Sequence, residues 1–100
     1  MSITPGHFTL TPEQRRFKET LSKYPRLEPF WDFDKRECDL ENLRKSLGAL
    51  SHGEAIMARF LSGIWCGENV LEFDLIEAAK ALDEEHRQCL IEWLSEPDFP

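Results

Sequence analysis

Two short segments of this chain carry side chains that could bind a metal, and both lack ligands that the chemistry requires. Asp32 and Asp34, with Lys35 beside them, resemble the acids of a magnesium-dependent nuclease. Such sites need more oxygen ligands, held on rigid elements. His86 and Cys89 are three residues apart and would share one helix face as zinc ligands. A structural zinc site needs four ligands, and the sequence offers no second pair such as C-x-x-C.

A third candidate is the Ser51 and His52 pair, because a serine activated by a histidine can act as a nucleophile. The sequence identifies no acid that would orient the histidine, and Ser51 already forms a capping box with Glu54. Neither Gly48 nor Gly53 belongs to a phosphate-binding motif. We therefore predict that the protein is not an enzyme and has no catalytic, cofactor-binding or metal-ligating residues.

The elements that position these side chains are predicted to be helices, because capping signals recur ahead of apolar stripes. The expected N-caps are Thr11, Asp39, Ser51, Asp74 and Asp83. The stripes expected to face the core are Phe17 and Leu21; Leu40, Leu43 and Leu47; Ile56, Met57, Phe60, Leu61, Ile64 and Trp65; Leu75, Ile76, Ala79 and Leu82; and Cys89, Leu90, Trp93 and Leu94. The predicted fold is all-α, a small single-domain bundle of about five short helices.

The length of 100 residues matches one ordinary domain. We expect residues 1–100 to form a single helical domain, with residues 1–9 as a candidate flexible N-terminal arm. The first helix should continue to about Lys23, and the proline-led segment 25–38 is predicted to be an ordered connector whose aromatic side chains enter the core.

The cellular setting is predicted from the cysteines and the apolar runs. Three cysteines without paired spacing favour reduced thiols over a disulfide framework. The N-terminus has neither the basic nor the apolar region of a secretion signal, and charges interrupt every long apolar run. A cytoplasmic protein without a membrane partner is expected.

Charge is divided unevenly along the chain. Residues 1–50 carry nine basic and eight acidic side chains, whereas residues 51–100 carry three and eleven, so most of the net charge of −7 belongs to the second half. Such a surface attracts basic partners and repels nucleic acid. The acids that we predict to bind a partner are Glu68, Glu72, Asp74, Glu77, Glu84, Glu85, Glu92 and Glu96. A solvated helix face is the alternative, because acidic first turns stabilise helix N-termini.

Charge alone would bind weakly, because exposed ion pairs contribute about 0.2–1 kcal/mol each. An apolar anchor is therefore expected beside the acids, and the candidates are Phe99 and the region of Tyr24 or Trp31. The opposing interpretation is that aromatic side chains in a domain of this size are buried in its core. Trp65 and Trp93 are predicted to belong to that core.

Direct DNA binding is disfavoured by the sign of the charge. A recognition helix beginning at Asp83, Glu84 and Glu85 would present carboxylates to the phosphates. The first helix carries Arg15, Arg16, Lys18 and Lys23, so DNA binding through this helix is an open alternative, although Glu13 and Glu19 lie in the same region. An acidic surface that imitates nucleic acid fits the composition better.

Four segments give the chain a resemblance to known proteins: 11–17 (TPEQRRF), 24–33 (YPRLEPFWDF), 82–87 (LDEEHR) and 91–97 (IEWLSEP). They resemble small acidic proteins of phages and conjugative elements. Size and acidity make the chain similar to the type I-F anti-CRISPR proteins, which share no common sequence signature. None of the four segments is a chemical motif, so no functional residue is transferred from that family.

The resemblance implies a non-enzymatic inhibitor that acts in the cytoplasm of a bacterial host cell. It would bind the CRISPR RNA-guided surveillance complex through the acidic face and block target DNA binding, acting as a DNA mimic without contacting nucleic acid. The alternative is an acidic helical adaptor protein of a mobile genetic element, for which a homodimer joined through an exposed apolar helix face is one form.

Overall fold

The computed structural model describes residues 10–100 and is mainly helical. The expected arm at residues 1–9 lies outside the described part of the chain. Five α-helices follow one another: α1 Pro12–Leu21, α2 Leu40–Ser46, α3 His52–Cys66, α4 Leu75–Ala81 and α5 Glu84–Ser95. Two short 3-10 turns occupy Glu28–Phe30 and Leu47–Ala49. No helix of residues 10–100 combines the length and apolar character needed to cross a bilayer.

All five predicted N-caps are confirmed, because each side chain accepts a hydrogen bond from the first turn of its helix. Thr11 and Ser51 form complete capping boxes, because the side chains of Gln14 and Glu54 accept the backbone N–H groups of Thr11 and Ser51 in turn. Helix α1 ends at Leu21, slightly before the expected Lys23. Local hydrogen-bonding chemistry therefore fixes where these helices begin.

The prediction of an all-α fold is correct only in outline, because the connector contains a small antiparallel hairpin. Strand β1 is Trp31–Asp32 and strand β2 is Glu37–Cys38, with Trp31 opposite Cys38. The carboxylate of Asp32 accepts the backbone N–H of Lys35 at 3.1 Å and stabilises the turn. Such a short pairing gives no periodic sequence signal, and it depends on packing of its aromatic side chains.

Helix α3 lies at the centre of the core and is flanked by two groups of aromatic rings. On one side Phe17 of α1, Trp31, Phe33 and Trp65 pack together, with the Phe17 and Trp65 centroids 5.1 Å apart. On the other side the packed rings belong to Phe60, Phe73, Trp93 and Phe99. The second group joins α3 to α5 and to the C-terminal residues.

Two stripes were predicted wrongly. In α4, Leu75 and Ile76 are 56% and 65% exposed, and Ala79 is also exposed, whereas Ala78 and Leu82 are buried. In α5, Leu90 is buried as expected, but Leu94 is 55% exposed. Helix α4 has apolar residues around most of its circumference, so periodicity does not identify the face that its neighbours cover.

Gly67 ends α3 with a left-handed backbone (φ 73°), and its N–H donates to the carbonyl of Gly63. Substituting alanine should lower the free energy of unfolding by about 1–2 kcal/mol, because a Cβ is disfavoured at this φ. A Cβ at Gly67 would meet no atom within 4 Å, so backbone strain is the whole expected cost. Urea denaturation monitored by circular dichroism measures the change.

Gly48 provides the matched control, because its Cβ would also meet no atom within 4 Å and its φ lies outside the left-handed region. Alanine there should leave stability unchanged or raise it by about 0.4–1 kcal/mol. Equal losses at the two positions would contradict the conformational explanation for Gly67.

Candidate protein-binding groove

The structure leaves all the acids that were predicted to bind a partner exposed: Glu68, Glu72, Asp74, Glu77, Glu84, Glu85, Glu92 and Glu96. Some of these acids stabilise the N-termini of helices. The Asp74 carboxylate accepts the backbone N–H groups of Ile76 at 2.9 Å and Glu77 at 3.1 Å. Glu84 and Glu85 lie in the first turn of α5, where the helix dipole favours negative charge. For these residues, helix stabilisation is a sufficient explanation of the charge.

Four of the other carboxylates have no such role. Within residues 10–100, no hydrogen bond or ion pair engages the carboxylates of Glu68, Glu72, Glu92 or Glu96. Glu77 lies 3.6 Å from the ring nitrogen of His52. Uncompensated carboxylates produce a field that a basic partner can neutralise.

An apolar groove of about 340 Å³ opens beside Glu68. Its walls come from the second half of α3, the connector after Gly67, the start of α4, helix α5 and the C-terminal residues. The apolar side chains that line it are Phe60, Ile64, Phe73, Leu75, Leu90, Trp93, Leu94 and Phe99. Leu75, Leu94 and Phe99 are three of the five large apolar side chains exposed in the described chain. The groove therefore gathers much of the uncovered apolar surface in one place.

The connector wall is held by side-chain bonds to its backbone. The Asn69 side chain bonds Phe73 twice, accepting from its N–H at 2.6 Å and donating to its carbonyl at 3.0 Å. Arg59 donates to the carbonyl of Leu71 at 2.6 Å, and Arg44 donates to the carbonyl of Val70 at 3.2 Å. These bonds fix the wall before any partner arrives, which lowers the entropy cost of binding.

Phe99 forms the C-terminal part of the groove wall. The indole N–H of Trp93 donates to the carbonyl of Asp98 at 2.8 Å, and the Arg16 guanidinium donates to the Asp98 carboxylate at 2.8 Å. The Asp98 carboxylate raises the pKa of Arg16. The rings of Phe99 and Trp93 pack edge to face, with their centroids 5.5 Å apart. Phe99 is thereby held against the groove although it is 58% exposed.

Three acids border this groove on its connector wall. Glu68 lines it, and Glu72 and Asp74 adjoin the lining residue Phe73. Arg59 is the one cation among the described residues that line the groove, and its guanidinium, which keeps its charge, donates to the carbonyl of Leu71. We call the groove and this border the acidic groove.

Of the eight predicted acids, Glu68 lines this groove, Glu72 and Asp74 adjoin its lining residue Phe73 in the connector, and Glu92 and Glu96 line a different groove. Glu77, Glu84 and Glu85 line neither groove. Among the candidate anchors, Tyr24 and Trp31 are buried in the core, whereas Phe99 lines the groove. Trp65 and Trp93 are half-buried and pack against the core.

Sequence reasoning missed Leu75 and Leu94 as groove residues, because both were assigned to the core. The available signal was an apolar stripe wider than one neighbour can cover. In α5 it runs through Leu90, Ile91 and Leu94, and Ile91 is also 55% exposed.

A second groove, of about 1010 Å³, lies between α1, α3 and α5. Its floor is apolar, but both signs of charge border it, with Arg16 and Lys23 facing Glu19, Glu92 and Glu96. A mixed border does not select a partner by charge. The smaller groove is the one that gathers the exposed side chains of Leu75, Leu94 and Phe99.

The clusters that suggested chemistry have structural partners instead. The Tyr24 hydroxyl lies 2.8 Å from Nδ1 of His86, and Asp83 lies on the other side of the ring. Burial raises the pKa of Cys89 and holds it as a neutral thiol, which is a poor nucleophile. Among residues 10–100, no three His, Cys, Asp or Glu side chains converge as metal ligands would.

No protein-family model matches the chain, and neither the curated proteins nor the solved structures contain a significant match. The chemical character of the acidic groove is therefore the basis for a functional hypothesis.

Proposed function

We propose that this protein is a non-enzymatic binding protein that attaches to a basic surface of a partner protein through the acidic groove. The observation that carries the proposal is the exposure of Leu75, Leu94 and Phe99 around one groove, whose connector wall carries the exposed carboxylates of Glu68, Glu72 and Asp74. Burial of the apolar walls supplies affinity, while the carboxylates supply orientation and a faster approach. Each exposed ion pair alone would contribute only about 0.2–1 kcal/mol.

The resemblance to type I-F anti-CRISPR proteins names the first partner to test, the CRISPR RNA-guided surveillance complex of the bacterial host. In this role the carboxylates would occupy lysine- and arginine-rich surfaces that otherwise hold DNA phosphates. The protein would block target DNA capture as a DNA mimic. Glu68, Glu72, Glu92 and Glu96 support this role, since no described residue neutralises their carboxylates by an ion pair.

The test is an affinity pull-down from a bacterial lysate that contains a type I-F surveillance complex, followed by a target-DNA binding assay at two salt concentrations. The expected result is co-purification, loss of DNA binding, and weaker capture of the complex at the higher salt concentration. Failure to co-purify would remove the surveillance complex as the partner.

Charge-reversal variants locate the contact on the protein. Glu68→Lys with Glu72→Lys, at the connector wall of the groove, should slow association with the complex about tenfold at low salt without unfolding the protein. Glu84→Lys with Glu85→Lys, at the far end of α5, is the matched control and should slow it less. Unchanged association for the first pair would contradict a contact through the acidic groove.

Homodimerisation is the second candidate, and the exposure of Leu75, Ile76, Ile91 and Leu94 favours it. Two copies could cover these side chains with a self-complementary contact. Light scattering over a range of concentrations separates the two functions, because only a homodimer shows a mass that rises toward twice the monomer value.

A further inference from the structure

We infer that residues 96–100, which we call the strap, form a releasable cover that separates the two grooves and closes the apolar floor that they share. This inference concerns a device within the chain and goes beyond the proposed function, because it does not depend on which partner binds. With the strap open, the two grooves would join into one longer apolar surface.

The strap lies between the two grooves. Three apolar side chains line both grooves and form their common floor: Phe60, Ile64 and Trp93. Pro97 and Asp98 line the larger groove, whereas Phe99 lines the smaller one. Neighbouring residues of the strap therefore face different grooves, and the segment passes from one to the other beside the shared floor.

Side chains hold the strap in place, since residues 96–100 belong to no helix or strand. Two of the contacts converge on Asp98. Its carboxylate accepts from the Arg16 guanidinium at 2.8 Å, and its carbonyl accepts from the indole N–H of Trp93 at 2.8 Å. Asp98 thus ties the strap to α1 and to α5 at once, which makes it the latch on which closure depends.

The contacts of the strap are of kinds that open easily. The side chains of Arg16 and Asp98 are 58% and 28% exposed, so water and salt weaken their ion pair. Phe99 remains more than half exposed. The Gln14 side-chain amide lies 3.4 Å from the carbonyl oxygen of Pro100, which is long for a hydrogen bond. The backbone entropy of an irregular segment opposes all of these contacts.

The indole N–H of Trp93 reports on closure, because the Asp98 carbonyl protects it from exchange with water. Asp98→Asn keeps the carbonyl and removes the charge of the latch. The exchange rate of the Trp93 indole N–H, measured by NMR, should rise about two- to fivefold in this variant. Trp31 and Trp65 belong to the other group of aromatic rings, so the rates of their indole N–H groups should not change.

Salt provides a second test, which uses the unaltered protein. A higher salt concentration should speed exchange at Trp93, because it screens the ion pair between Arg16 and Asp98. The same change should have little effect in Asp98→Asn. No partner is present in this experiment, so its outcome is independent of whether the surveillance complex is captured.

Access to the larger groove is measured at Cys89, which lines it. Asp98 is not among the groups that shift the pKa of Cys89, so the rate of alkylation by N-ethylmaleimide reports access to the thiol. Mass spectrometry should show Cys89 reacting about two- to fivefold faster in Asp98→Asn. Glu84→Gln removes the same charge at the other end of α5 and should leave the rate unchanged. Cys38 and Cys66 are internal references.

Two results would overturn the inference. One is an unchanged exchange rate at Trp93 in both the Asp98→Asn test and the salt test. The other is faster exchange at Trp93 without faster alkylation of Cys89, which would mean that the strap opens but does not cover the groove. Global unfolding of the variant would speed exchange at all three tryptophans, and the salt test on the unaltered protein would then decide.

Discussion

Replacing Leu61 by alanine should lower the free energy of unfolding by about 2–5 kcal/mol. Leu61 is fully buried in the middle of α3, the helix that joins the two groups of aromatic rings. Truncation removes apolar burial and leaves a cavity, because the neighbouring helices can close the space only in part. Domains of this size are stable by only about 5–15 kcal/mol, so the expected loss is a large share of the total free energy of unfolding.

The measurement is urea denaturation followed by circular dichroism, with Leu94→Ala as the control. Leu94 is the same residue type but is 55% exposed, so its truncation should cost well under half as much. Similar losses at the two positions would show that α3 is not the centre of the core. The comparison also checks that the groove can be altered without unfolding the protein.

Alkaline pH should destabilise the protein, because folding raises the pKa of two acidic side chains, the Cys38 thiol and the Tyr24 hydroxyl. Burial, together with the nearby thiol of Cys66, raises the pKa of Cys38 from 9.0 to about 12. Burial also raises the pKa of Tyr24. Between pH 9 and about 12 the unfolded chain releases the Cys38 proton while the folded chain keeps it. The stability contributed by this group is therefore complete below pH 9 and is lost as the pH rises toward 12.

The size of this loss has an upper limit of about 1.4 kcal/mol per pH unit, and solvent screening reduces it because the Cys38 side chain is only partly buried. Urea denaturation at two pH values, about 8 and about 10.5, in the presence of a reducing agent, measures it. In Cys38→Ala the fall in stability across this interval should be smaller, because alanine cannot titrate. Lysine titration is common to both proteins and cancels in the difference. Parallel falls in the two proteins would contradict the assignment to Cys38.

The helix starts were predictable from the sequence, because a cap is a local contact. Thr11, Asp39, Ser51, Asp74 and Asp83 each bond a backbone N–H two or three residues later. No distant residue is needed for such a bond, so the sequence contains the whole signal. The exposure of the acids was predictable for a similar reason, since charged side chains are almost never buried without a partner.

The hairpin and the groove were not predictable in this way. Strands β1 and β2 have two residues each, too few for a periodic pattern, and the aromatic group around Phe17 packs against their connector. The groove has walls from α3, α4, α5 and the C-terminal residues, and Phe99 is held there by contacts to Trp93. The order of residues along the chain does not show that these elements are neighbours in space.

The sequence by itself determined the five helices, their caps, the central position of α3 and the excess of acid in the second half of the chain. Only the tertiary structure decided that Leu75 and Leu94 stay exposed and that they line one apolar groove together with Phe99 and Glu68. The physical reason is the range of the interactions. Caps and helical periodicity act within a few residues, whereas the cover of an apolar face depends on which distant elements pack against it.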